Sequence, residues 1–390
     1  MSGGGPPEGR NPFEGLPMFG DLARLFSGQG PVNWDVARQT ARWLATDGKP
    51  EVNVDPLERI RMEELLRVAD LQVSEFTGLA TSITGGVLSI LPVTRGDWAV
   101  HTLDAYRSLL ERLGRTVAAA SSETVEPDPQ TQLLGDLGSV LAPVLLGVQS
   151  GYMVGQIGRQ ALGQHDPPLP RPAADQLLVV GANVSAFAEE WSLPAEDVRM
   201  WVCLSEVTRH TVMGRPHVRA RLLSLIESYI DNFEVDPSAV EASISELDPT
   251  DPNAFKAVLG NPEVLLGAIQ TDAQQTVVER IDAILAAVEG YADHVVDSVG
   301  AGLITSYDRI TEALQRHRAE AGEGQRFAAR LLGVQLSRRT SERGAAFIDG
   351  VVERAGDDGL RRLWQSERDL PTPAEIEAPG LWLARIDLPD

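Results

Sequence analysis

Cysteine is all but missing from this chain: Cys203 is the only one in 390 residues. A single thiol permits no intrachain disulfide and no thiolate zinc site. Basic charge is scarce too. Thirty-four Lys and Arg stand against fifty-six Asp and Glu, leaving a formal charge of −22. Such a surface repels phosphate backbones and anionic lipid, which argues against nucleic acid or a membrane as main partner. The acidity otherwise reads as a means of staying in solution. The amino terminus, MSGGGPPEGRNPFEG, has neither the basic nor the apolar region of a secretory signal. A long clean apolar run is absent as well. The most apolar window, 135–158, is interrupted by Asp136, Pro143 and Gln149 and is dense in glycine. It reads as a buried, tightly packed helix pair and not as a membrane span. A cytoplasmic protein is expected.

What is present is helical text with enough apolar residues, 43%, for two or three domains' worth of core. Apolar residues recur at helical spacing over 55–79, where Asp55-Pro56 makes a good helix start, and over 96–120. Pro194 with Glu196 and Asp197 opens a helix that Gly214-Arg215-Pro216 stops, and another follows. A long amphipathic helix is predicted over 271–300. Gln176–Val180 is the best strand candidate, while 121–130, 165–175 and 248–255 read as linker, irregular segment and turn. The fold class is mainly α with a minor β element.

Within the predicted helix after Pro194 lies Cys203-Leu204-Ser205-Glu206-Val207-Thr208-Arg209-His210. Two changes would turn its centre into HEVTH, a zinc-binding helix with its own general base. In such a helix two histidines four residues apart share one face and meet one tetrahedral metal, while the Glu takes a proton from the metal-bound water.

Several separated pieces resemble the actinobacterial family of zincin-like metallopeptidases, whose members are described as zinc-dependent metalloproteases or hydrolases. They are NWDVARQTA, LGQHDPPLP, LPAEDVRMWVCLSEVTRH, VEGYADHVVDSVG, LLGVQLSRR and DGLRRLWQSERDLPTPAEI. They stand in the family's order and cover nearly the whole chain. The resemblance implies a zincin-like helical fold. It divides the chain into a disordered 1–20, an N-terminal helical region 21–130, a core 131–325 and a C-terminal helical region 326–390 packed on that core. It puts Glu206 at the general-base position, Glu289 of EGYAD at the third-ligand position, and Asp293 where a residue would orient a ligand histidine. Ser205 and Arg209 stand where the two histidines belong. A hydroxyl is a poor zinc ligand and a guanidinium, always charged and without a lone pair, is none. A degenerate HExxH motif that binds no metal is therefore expected, although active family members use zinc. Without metal, Glu206 and Glu289 are expected to resist ionisation as neighbours, with the fork of Arg209 placed between them.

The favoured function is a catalytically inactive metallopeptidase homologue, a pseudoenzyme whose cleft serves peptide or protein binding or regulation, possible partners including an active paralogue. The alternative is an active zinc hydrolase with non-standard ligands, Glu206, His210 and Glu289, or His294. Against it, His210 lies about 100° around the helix from Arg209. A third reading, a scaffold with no surviving cleft, predicts no concave pocket between the 197–212 and 273–297 helices. Ser205 lacks a nucleophile elbow. Cys203, Trp191 and Trp201 read as core, and His217 as a surface or capping residue. The family pattern has a histidine where Tyr291 stands.

Overall fold

The computed structural model describes residues 30–122, 129–235, 268–269, 271–319, 322–334 and 337–388. The amino-terminal segment 1–20, the middle of the 121–130 linker and the 248–255 turn lie outside them. Each helix begins where local chemistry satisfies its first amides. Helix α1, Trp34–Ala45, is capped by Asn33, whose side chain accepts from Val36 N at 3.1 Å. Helix α2, Pro56–Thr77, is capped by Asp55, which accepts from Leu57 N at 2.9 Å, and ends at Gly78 with φ of 68°, a left-handed conformation that glycine adopts without penalty.

Strand β1, Ser89–Val93, lies parallel to β2, Gln176–Val180, with Ile90 opposite Leu177. The predicted β2 is thus present, and its partner is a strand that periodicity did not single out. Helix α3, Arg95–Ala105, follows β1 directly. The single helix expected over 96–120 is in fact two, because the chain turns at Tyr106 before α4, Arg107–Ser122. There the buried Tyr106 ring lies under Arg171, whose Cζ is 5.4 Å from the ring centre.

The glycine-rich window forms part of one helix, α5, Pro129–Gly158, seated against α1. A Cβ at Gly147, Gly151 or Gly155 would come within 2.5, 2.5 and 2.8 Å of the carbonyl oxygens of Asn33, Ala37 and Ala41. Glycines every fourth residue therefore let two backbones touch, the buried pairing expected of this window. Among the described residues no helix is long and apolar enough to cross a membrane.

After α5 a loop runs back beside β2, joined to it by Val180 N to Leu162 O at 3.0 Å. Helices α6, Gly181–Glu190, and α7, Ala195–Met213, follow. From Trp201 to Met213 every residue of α7 is buried, so it is a central helix surrounded by others. Helix α8, Pro216–Asp231, leads to a short antiparallel ribbon, β3, Glu234–Val235, with β4, Ala268–Ile269. Helix α9, Asp272–Leu303, opens with a capping box between Thr271 and Gln274. Helices α10, Tyr307–Ala319, and α11, Glu323–Leu332, precede α12, Arg338–Arg362. A 3₁₀ turn, Glu367–Asp369, and two short helices, α13, Pro373–Glu377, and α14, Pro379–Ile386, close the chain. Helix α9 crosses α12 at paired glycines: a Cβ on Gly290 would lie 2.3 Å from the carbonyl carbon of Gly344. That close crossing fixes the neighbouring Glu289. The protein is mainly α, with fourteen α-helices among the described residues.

Candidate functional site

Three elements meet at α7. The helix supplies Ser205, Glu206 and Arg209, α9 supplies Glu289, and the loop between α5 and β2 supplies His165 and Asp166. All six line a cleft of about 110 Å³, so the scaffold reading, which required no concavity between these helices, does not describe this molecule.

Ser205 and Arg209, four apart, share a helix face. The guanidinium of Arg209 donates from Nε to Glu289 Oε1 and from Nη2 to Glu289 Oε2, both at 2.8 Å, and from Nη1 to Ser205 Oγ. Both side chains of this pair are only 8% exposed, which places the bidentate bond among the stronger kinds of polar contact. Burial works against the Arg209 charge, but the charge and hydrogen bonds of Glu289, with Glu206 and Asp293, hold its pKa above even the usual arginine value. Asp293, one turn beyond Glu289, thus acts on Arg209 through its charge.

The expected bridge from Arg209 to both glutamates is not what forms. Glu206 is held elsewhere: its Oε2 accepts from His165 N and from His165 Nδ1, each at 3.0 Å. The loop comes this close because residue 163 is glycine; a Cβ there would lie 2.3 Å from the Glu206 carboxyl carbon. Nor does Glu206 resist ionisation. Burial pushes its carboxyl up, but the His165 hydrogen bonds and the attraction of His165 and Arg209 outweigh that and hold it below the usual range. Two glutamates with separate partners do not have to share one charge. Asp166 behaves oppositely. Burial raises its carboxyl, and the hydrogen bond from Leu162 N and the charge of Arg209 only partly offset this.

The chain thus brings together Ser205, Glu206, Arg209 and Glu289 and leaves other candidates outside. His210 turns off the cleft, its ring edge-on to His165 at 5.9 Å between centres. Among the described residues neither of its buried ring nitrogens has a hydrogen-bond partner, and burial, reinforced by His165, pushes its pKa down to about 3. His294 lies against Phe76 and Asp357, and His217 near the start of α8. The alternative ligand set of Glu206, His210 and Glu289 or His294 is therefore not assembled. Among the described residues no three His, Cys, Asp or Glu side chains gather as a metal-binding group. Tyr291 packs on Trp364 at 5.3 Å, away from the cleft. Cys203 is buried, and burial raises its thiol pKa. Trp201 is buried and also walls the cleft, while Trp191 is half-buried beside Phe187.

A divalent ion does not suit this donor set. Between Ser205 and Glu289 stands a permanent cation, and the hydroxyl is too weak a ligand to compensate. What the residues do offer is a carboxylate–imidazole pair, Glu206 with His165, beside a fixed guanidinium–carboxylate pair. His165 and Asp166 were not among the residues singled out from sequence. Their signal was that the proline-rich segment holding them, Leu162–Pro170, is one of the pieces that carry the family likeness.

A search of curated proteins finds no match. A crystal structure titled a "putative hydrolase with a novel fold", from Chloroflexus aurantiacus, superposes with a TM-score of 0.65 at 22% identity, covering 92% of this chain and 100% of that one. At that identity the likeness is one of fold. The family model for zincin-like metallopeptidases matches residues 32–383, a span that takes in the α7 segment, the His165 loop and α9 together, and the chain belongs to that family.

Proposed function

We propose that the protein is a metallopeptidase homologue whose zinc-binding motif has degenerated, leaving a cleft that binds peptide or protein without hydrolysing it. In this reading Ser205, Arg209 and Glu289 occupy former ligand positions, Glu206 the former general-base position, and Asp293 the former orienting position. The observation that carries it is the guanidinium of Arg209, which contacts positions 205 and 289 at once. That one side chain reaches both positions supports the reading that Arg209 stands in for a shared ion. It supplies the positive charge that Glu289 needs, and none of the Lewis acidity that activates water.

The active-hydrolase alternative would need His210 to turn through about 100° of helix, and its ring faces His165 instead. Metal analysis separates the two readings. The purified chain, incubated with excess zinc and dialysed, should retain substoichiometric metal and cleave no peptide library. Stoichiometric zinc that survives dialysis, lost on Glu289→Ala, would overturn the proposal.

A further inference from the structure

Away from the cleft, α8, α9, the 3₁₀ turn and the start of α13 line a second, half-open cavity of about 450 Å³. Its lining includes Arg221, Arg280, Arg368 and Arg385 against a single acid, Glu367, in a chain of formal charge −22. Two of these arginines hold the carboxyl-terminal segment in place. Arg385 forks onto Glu375, Nε to Oε1 at 2.5 Å and Nη2 to Oε2 at 3.0 Å. Arg368 donates from Nη2 to the Leu388 carbonyl at 2.5 Å.

The other two are not committed in this way. Arg221 and Glu367 approach only to 3.9 Å, beyond hydrogen-bond reach. Arg280 is exposed and makes no hydrogen bond or ion pair among the described residues. Below these groups the cavity is apolar, lined by Leu225, Ile284 and Leu370. Guanidinium groups gathered at one concavity repel each other, and an anion placed among them relieves that repulsion. Glu367 on the same wall opposes a second negative charge, so a monoanion is better accommodated than a phosphate dianion. Arginine's planar fork also matches a carboxylate closely.

We infer that this cavity is a binding site for a carboxylate borne on an apolar body, with Arg221 and Arg280 taking the carboxylate and Leu225, Ile284 and Leu370 receiving the body. The site draws on nothing in the α7–α9 cleft, so it stands whether or not that cleft binds peptide.

Isothermal titration of the full chain with N-acetyl-leucine, N-acetyl-leucinamide and inorganic phosphate tests it. N-acetyl-leucine should bind, phosphate should bind more weakly, and the uncharged amide should not bind measurably. Arg221→Gln and Arg280→Gln should each weaken N-acetyl-leucine by about tenfold or more. Neither arginine is buried, so both variants should fold, which circular dichroism verifies. Absence of N-acetyl-leucine binding at millimolar concentration overturns the proposal. So does equal binding of the amide, or an unchanged affinity in both variants. Phosphate binding as tightly as N-acetyl-leucine overturns the apolar part of the recognition.

Discussion

Replacing Arg209 by methionine removes the charge and keeps most of the side chain's bulk. In the intact protein two 2.8 Å contacts join its guanidinium to Glu289, with both side chains 8% exposed. At that separation and an effective dielectric of about 20, the gross attraction is roughly 6 kcal/mol. Most of it offsets the cost of taking two charges out of water, so the net worth of the intact pair is small. Removing only the cation is different, because Glu289 then stays buried and uncompensated. Arg209→Met should cost about 3–5 kcal/mol. Arg209→Met with Glu289→Leu removes both charges and should recover much of that loss, giving a coupling energy of about 2 kcal/mol or more. Urea unfolding at neutral pH, followed by tryptophan fluorescence in the wild type, the two single variants and the double variant, measures the cycle. High salt should change the result little, since the pair is shielded from solvent. An Arg209→Met cost below about 1 kcal/mol, or additive single effects, would refute the account of this pair.

Ser205→His with Arg209→His should create a site that binds one zinc per chain, read by titration with cobalt and its tetrahedral absorption; a folded double variant that binds neither metal would undo the assignment of Glu289 as a ligand position. His210 makes stability depend on pH. Its folded pKa, about 3, lies below its ordinary value of about 6.5, so the unfolded chain takes up a proton first as pH falls. The stabilisation is complete above about pH 6.5 and declines toward pH 3, by roughly 2 kcal/mol at pH 5. His210→Leu should therefore flatten the stability profile between pH 7 and 5, and an unchanged profile would contradict the burial-driven shift. Gly290→Ala puts a Cβ 2.3 Å from the backbone of Gly344 and should lower stability by about 1–3 kcal/mol or more, measured as a fall in Tm; a neutral result would mean that α9 and α12 can part at no cost.

Much of the fold was legible because its signals are local. Asp55-Pro56 before α2 and Pro194 with the acids of the first turn of α7 each act within one helical turn, the amphipathic spacing over 271–300 marked α9, and the apolar run Gln176–Val180 marked β2. Strand β1 was not legible, since SILPV is short, contains Pro92, and finds its partner 87 residues away, Ser89 opposite Gln176. The same limit applied to the site. Residues 205, 206 and 209 were readable together because one helix carries them, and Glu289 came from the family likeness. His165 reaches Glu206 across 41 residues, through an irregular segment whose path is set by its bridge to β2 and by the missing side chain at Gly163. No periodicity records such an approach. The expectation that Glu206 would resist ionisation was mistaken for this reason: it counted the nearby acid and not the imidazole.

The bidentate contact between Arg209 and Glu289 has a consequence for where this protein can work. A bound ion stabilises a fold in proportion to the logarithm of its free concentration, and a chelator or a starved cell withdraws it. A cation carried on the chain has no such dependence. On the proposed reading, the junction of α7 with α9 is equally firm in metal-poor and metal-rich surroundings, and it is complete as soon as the polypeptide has folded.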